Sequence, residues 1–162
     1  MSIKRIAIAV LSLLMVSLAA CQATIGFDID QDYVYTTIEA DEANATAAIE
    51  KVLSENLINP QADLRTGEIV VSGEKEVEAT GTVETGSMTI TMFIEDGYLI
   101  AQITNLDFAN WNASPEELAN MNEKLAFEMR QHAQMRNSRA ELTEVTIQDS
   151  GMSFTWRTPR IK

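Results

Sequence analysis

Residues 88–105 read MTITMFIEDGYLIAQITN, and this stretch decides the fold. Alternate residues are apolar on both sides of Asp96-Gly97. A period of two is typical of a strand with one buried face, and Asp-Gly favours a tight hairpin turn. The stretch therefore predicts two antiparallel strands that share an apolar face made by Met88, Ile90, Met92, Ile94, Leu99, Ala101 and Ile103.

The flanking sequence predicts more strands of the same kind. Upstream, 68–72 is rich in β-branched residues and 76–84 alternates between apolar and polar residues, with turns expected at Gly73-Glu74 and at Thr85-Gly86-Ser87. Downstream, 141–148 and 152–156 flank Asp149-Ser150-Gly151 and predict a closing hairpin.

Two helices interrupt the strands. Asp41 can cap a helix that runs to about Leu57, with one apolar stripe. Ser114-Pro115-Glu116-Glu117 is a capping box that predicts a second helix to about Asn137, with Leu118, Met121, Leu125 and Met129 on one face. The order α-β-β-β-β-α-β-β predicts an α+β domain in which a curved antiparallel sheet of about six strands packs against two helices.

The first twenty residues are of a different kind. Lys4 and Arg5 precede an uncharged run, 6–20, that ends in small residues, as a secretory signal does. Fifteen residues are too few to span a bilayer, which needs about 20. Cys21 follows directly, and it is the only cysteine in the chain.

The segment Leu18-Ala19-Ala20-Cys21 resembles the lipobox of bacterial lipoproteins. The resemblance implies that 1–20 is a cleaved signal peptide and that the thiol of Cys21 is lipidated, which holds the protein to a membrane of the cell envelope through fatty-acyl chains such as palmitate. Gln22, where inner-membrane lipoproteins of many Gram-negative bacteria carry Asp, implies the outer membrane if the source is Gram-negative. The alternative is a plain secretory signal followed by an incidental cysteine.

The mature chain is acidic. All 24 acidic residues follow residue 20, whereas two of the 12 basic residues precede it, which leaves a formal charge of −14. Such a chain repels nucleic-acid phosphates, so no nucleic-acid partner is expected. We interpret 21–32 as the lipidated cysteine with a short acidic tether, and 33–162 as one domain.

No motif for catalysis, metal binding or a cofactor is present. His132 is the only histidine, and the only thiol is the one at the lipobox, so neither a His-based metal site nor a Cys-His pair can form. We therefore expect no cofactor and no enzymatic activity. The roles of His132, Trp111 and Phe127 are left open by the sequence.

Methionine is the feature that suggests a ligand. Flexible thioether side chains repack around varied apolar shapes, which suits a groove that accepts acyl chains. The competing interpretation is that methionine only fills gaps in the core. The residues expected to line such a groove are Met88, Met92, Met121, Leu125, Met129 and Met152.

The layout of the mature chain, with GEIVVSG at 67–73 and VTIQDSG at 145–151, resembles small lipoproteins of the tubular lipid-binding (TULIP-like) superfamily. The resemblance implies a lipid or other apolar ligand held between sheet and helix. The alternative function is an envelope assembly module that has a packed core, no ligand and a protein partner.

Overall fold

The computed structural model describes residues 23–54, 57–77, 81–108, 111–134 and 139–160. It contains two helices, α1 (Glu42–Leu53) and α2 (Pro115–Gln134). The strands are β1 (Thr24–Ile29), β2 (Tyr33–Asp41), β3 (Ile58–Arg65), β4 (Glu68–Val77), β5 (Thr82–Glu95), β6 (Tyr98–Phe108), β7 (Trp111–Asn112), β8 (Glu141–Gln148) and β9 (Gly151–Pro159).

The strands form two antiparallel sheets. Sheet A has the order β1-β2-β9-β8, and sheet B has the order β3-β4-β5-β6-β7. The α+β class, with antiparallel strands and two helices, is as the sequence predicts, but the strands do not form one curved sheet. Helix α1 carries the chain from sheet A to sheet B and α2 carries it back, so strands that follow a helix join a different sheet.

Strand β8 joins the two sheets by lying across the turns of two hairpins of sheet B. The backbone N–H of Leu142 donates to the carbonyl of Gly97 (3.2 Å), and the N–H of Gly67 donates to the carbonyl of Ile147 (3.0 Å). One hydrophobic core results, to which both sheets and both helices contribute. Phe154 of β9 and Leu53 of α1 are among its largest fully buried side chains.

Each helix also covers an edge of sheet B with polar side chains. Glu50 of α1 accepts the N–H of Ala62 in β3 (3.0 Å). Asn122 of α2 accepts the N–H of Ile103 in β6 (2.9 Å) and donates to its carbonyl (2.8 Å). These bonds satisfy edge-strand groups that would otherwise template further pairing.

Both predicted helix caps and the predicted turn at Asp96-Gly97 are confirmed. Asp41 accepts the N–H of Asn44 (2.8 Å), and Glu117 accepts both the N–H (2.8 Å) and the hydroxyl (2.9 Å) of Ser114. Asp96 and Gly97 both have positive φ, 52° and 77°, as a two-residue hairpin turn of the mirror-image type requires.

Two expected turns are in fact interior to strands. Gly73 lies within β4 and Gly86 within β5, so the predicted strand 76–84 instead spans the connection between them. Gly86 pairs with Phe108, and an ideal Cβ at Gly86 would overlap the Phe108 ring. The glycine is there for close packing of an aromatic ring on the strand, and not for a turn.

The N-terminal part of the domain also differs from the expectation. Residues 24–29, interpreted as part of a tether, form β1, and every one of its residues pairs with β2. Residues 58–65, around Asn59-Pro60, form β3, a strand that the predicted order of elements does not contain. Residues 1–22, with the predicted signal and Cys21, lie outside the described residues, as do Met135 and 136–138 at the predicted end of the second helix.

Candidate functional site

The six residues predicted to line a groove are all buried together. They are between 1% and 9% exposed and belong to one hydrophobic cluster: Met88, Met92, Met121, Leu125, Met129 and Met152. They fill the interior between sheet B, α2 and β9. Met129 has a further role, because its Sδ accepts the N–H of Ala101 in β6 (3.1 Å).

The other residues that the sequence singled out do not gather at one place. Phe127 of α2 is 60% exposed and stands apart from the core stripe of its helix. Trp111 forms part of β7, where it pairs with Phe108. The side chains of Trp111 and His132 are not among those described.

An apolar surface that the sequence analysis missed lies on β1. Ile25, Phe27 and Ile29 are 54%, 70% and 61% exposed, and they follow one another at a spacing of two residues. Successive odd positions of a strand project to the same face. We call these three side chains the β1 stripe.

The β1 stripe is an extension of the core face of sheet A. Ile25 pairs with Ile38 of β2, and Ile38 pairs with the fully buried Phe154 of β9. Phe27 pairs with Thr36, which pairs with Trp156. Directly paired residues place their side chains on the same face. The inner face of sheet A therefore extends from the packed core to the exposed apolar side chains of β1, through Ile38 in one row and Thr36 in the next.

The opposite face of sheet A is polar. Arg157 donates to Glu141 (2.6 Å) and lies over the ring of Tyr33, 4.8 Å from its centroid. The hydrogen bond that Arg157 donates to Glu141, together with the negative charge of that carboxylate, raises the pKa of Arg157. Thr37 and Thr155 share a hydrogen bond between their hydroxyls (3.1 Å). Sheet A thus has one apolar face and one polar face, and the β1 stripe lies on the apolar face.

The turn between β1 and β2 is fixed by Asp30. Its carboxylate accepts the N–H of Asp32 (2.8 Å) and of Tyr33 (2.6 Å), and the hydroxyl of Tyr35 donates to it (3.2 Å). The two backbone donors, Tyr33 first, lower the pKa of Asp30. Burial and the bond to Asp30 raise the pKa of Tyr35.

The C-terminus holds the same turn from the other side. Arg160 donates to the carbonyl of Asp30 (3.0 Å), and its own N–H donates to the carbonyl of Asp32 (2.8 Å). The β1 stripe is therefore presented on a hairpin whose turn is fastened by side-chain and backbone bonds. It is not carried on a loose tether.

A polar groove of about 410 Å³ lies at the other end of the sheet, beside the turn between β8 and β9. Glu39, Asp41, Thr146 and Gln148 are among its lining residues, and Asp41 is already engaged in capping α1. The described residues contain no group of three or more side chains that could hold a metal ion.

None of the helices within the described residues is both long enough and apolar enough to cross a membrane.

The sequence did contain a signal for the β1 stripe, the alternation of Ile25, Phe27 and Ile29. The acidic residues interleaved with it, Asp28 and Asp30, led to the tether interpretation.

Comparison of the chain with protein families gives no match, and comparison with curated proteins gives none either.

Proposed function

We propose that this chain is a membrane-anchored extracytoplasmic lipoprotein, acylated at Cys21, whose domain binds a lipid or another apolar ligand. The lipobox Leu18-Ala19-Ala20-Cys21 supports the anchor. Gln22 favours the outer membrane for a Gram-negative source. The proposal assigns no catalytic step, cofactor or nucleic acid to the protein.

The β1 stripe is the observation that carries the binding role. Exposed apolar side chains scattered singly on a surface are ordinary, whereas a contiguous apolar margin next to the core marks a contact site. An acyl chain lying along Ile25, Phe27 and Ile29 would meet Ile38 and Trp156 at its inner border, both of which pack against the core.

The proposal also gives a role to the core next to the β1 stripe. This core contains the six buried residues that were predicted to line a groove: Met88, Met92, Met121, Leu125, Met129 and Met152. Met152 is the one on sheet A itself, in β9 beside Ala40 of β2. Thioether side chains change rotamer at low cost, so the core could repack around a chain that enters past Phe154. The outer contact is the β1 stripe, and the methionines provide the adaptable interior.

Binding of a fluorescent fatty acid to the mature chain without its anchor, residues 22–162, tests the ligand role. All strands and helices and the single core lie within this segment. We expect Phe27→Asp to weaken binding by about tenfold or more, because a charge replaces the most exposed apolar group of the stripe. The matched control is Phe127→Asp on α2, which we expect to bind as the wild type does.

Equal binding by both variants would contradict the assignment to the β1 stripe. Absence of binding by the wild type, together with no lipid on the protein purified from cells, would contradict the ligand role altogether.

An envelope assembly module is the second candidate, and the free edge of β1 favours it. Within the described residues β1 pairs with β2 alone, so its outer backbone groups are open to a strand from another protein. Recovery of one partner in a fixed ratio from solubilised envelopes, lost on Phe27→Asp and retained on Phe127→Asp, would favour this function over lipid binding.

A further inference from the structure

We propose that the apolar partner of the β1 stripe is the anchoring bilayer itself, so that the domain lies on its own membrane by its β1 edge. The inference rests on the proposed acylation of Cys21 and adds the orientation of the domain. It identifies the occupant of the stripe as the acyl boundary of the leaflet that holds the anchor.

Chain length places the stripe at the membrane. Three residues lie between Cys21 and Ile25, so the four Cα–Cα steps that join them span at most about 14 Å when fully extended. Strand β1 begins at Thr24, so only Gln22 and Ala23 lie between Cys21 and the strand. Acylation therefore holds Ile25 within reach of the headgroup layer, with Phe27 and Ile29 continuing along the same strand face.

The covalent anchor at Cys21 also means that a small apolar surface is enough for the domain to dock on the membrane. A covalent anchor keeps the stripe at a high effective concentration at the surface, so docking has no separate translational cost. The side of the domain that faces the lipid is then determined by the three side chains of the β1 stripe, which are 54%, 70% and 61% exposed. The polar face of sheet A, with Arg157 and Glu141, is left in water.

The backbone limits how deep the stripe can go. An open strand edge cannot enter the hydrocarbon region, because its N–H and C=O groups would lose their hydrogen-bonding partners. The strand backbone must stay among hydrated headgroups while the side chains reach the acyl boundary, as interfacial segments do at a depth of about 5–10 Å. Docking is therefore shallow.

Charge predicts which lipids favour docking. The mature chain carries a formal charge of −14, and Asp28 and Asp30 lie on the same hairpin as the stripe. Anionic headgroups repel such a domain, and salt screens the repulsion. At low salt, the β1 stripe should therefore dock more tightly on zwitterionic vesicles than on anionic vesicles.

A single introduced thiol tests the orientation on the lipidated mature protein. Acylation consumes the thiol of Cys21, the only natural one, so Phe27→Cys places one reactive site on the stripe for an environment-sensitive fluorophore. The matched control is Asp28→Cys, the next residue, which projects to the opposite face. Ile25→Cys serves as a second stripe probe if the first variant folds poorly.

The labelled proteins are reconstituted in phosphatidylcholine vesicles that contain nitroxide-labelled lipids. We expect nitroxides near the headgroup to quench the probe at 27 or 25 at least about twofold more than the probe at 28, and more than nitroxides near the chain end do. Equal quenching at 27, 25 and 28 on vesicle-bound protein would overturn the docking while leaving the anchor intact.

The other outcomes separate the remaining possibilities. A probe at 27 shielded from water but not quenched by lipid nitroxides would mean that a second copy or another protein covers the stripe, and the inference would be wrong. Protein that fails to remain with the vesicles, and whose mass shows no acyl group, would instead refute the proposed anchor.

Discussion

Phe27 and Phe154 show how one sheet face can contribute both to the core and to an exposed apolar surface. Both side chains are on the apolar face of sheet A, yet Phe27 is 70% exposed and Phe154 only 1%. The difference comes from position across the sheet, since β9 packs against α1 whereas β1 is the outermost strand and packs against β2. The β1 stripe, the proposed contact surface, is therefore the exposed end of the same apolar layer that stabilises the fold.

Asp30 is the residue that keeps the stripe in place, and its carboxylate makes the hairpin sensitive to acid. The lowered pKa of Asp30 means that the folded hairpin favours the charged form. Its stabilising contribution is complete above the unfolded pKa, about 3.9, and is lost as the pH falls through the lower folded value.

We expect amide exchange at Tyr33 to quicken below pH 4 relative to the intrinsic rate, and Asp30→Asn to remove most of that acid dependence. The amide of Asn can still accept the backbone bonds but does not titrate. NMR titration of the Asp30 carboxyl checks the cause directly, and a measured pKa at or above 3.9 would contradict this explanation.

Gly86 shows at the residue scale why the strand pattern was only partly predictable. A glycine between two polar residues is a turn signal by local chemistry. Phe108, 22 residues further along, covers Gly86 in the folded sheet and makes the glycine a packing requirement. Only the cross-strand register reveals the ring, and that register is not contained in the local sequence.

At the scale of elements, the edges of the two sheets differ in how they are covered. Glu50 covers β3, Asn122 and Met129 cover β6, and the hairpin turns at Gly67 and Gly97 bond to β8. In the described residues, no such cover lies on β1. Within the described part of the chain the helices are therefore edge covers as well as core elements, and they leave open β1, the strand that follows Cys21 in the sequence.

Asn122 provides the test of this edge-cover role. Asn122→Ala leaves the N–H and C=O of Ile103 without their side-chain partner, and we expect a loss of about 1–3 kcal/mol in the free energy of unfolding. Urea unfolding measures the loss, and amide exchange at Ile103 locates it.

Asn120→Ala is the matched control for this test, because Asn120 is exposed on the same helix. The control should change stability by less than about 0.5 kcal/mol. Because Ala has a higher helix propensity than Asn, the helix itself gives the control no reason to lose stability, and equal losses for the two variants would contradict the edge-cover role of Asn122.

Element type was more predictable than sheet membership for this chain. Both helices and the hairpin at Asp96-Gly97 follow from local periodicity and caps. The split into two sheets depends on β8 meeting Gly67 and Gly97, contacts between residues distant in sequence. β1 was missed because its alternation is short and carries acidic residues, features also typical of a solvated linker.

At the scale of the whole molecule, a strongly acidic chain carries an exposed apolar face on one edge strand. The mature chain is strongly acidic, whereas the largest exposed apolar groups of β1 lie together on one strand face, close in sequence to the predicted anchor. The proposed lipid anchor holds the domain at a surface that its net charge would otherwise avoid.

The proposed orientation of the molecule depends on acylation of Cys21. The intact mass of the protein purified from cell envelopes tests this acylation directly. We predict a chain of residues 21–162 whose mass exceeds that of the polypeptide by diacylglycerol and fatty-acyl groups, and whose Cys21→Ser variant is neither acylated nor cleaved at this position. A wild-type chain that begins elsewhere, or that begins at Cys21 with an unmodified thiol, would contradict the account.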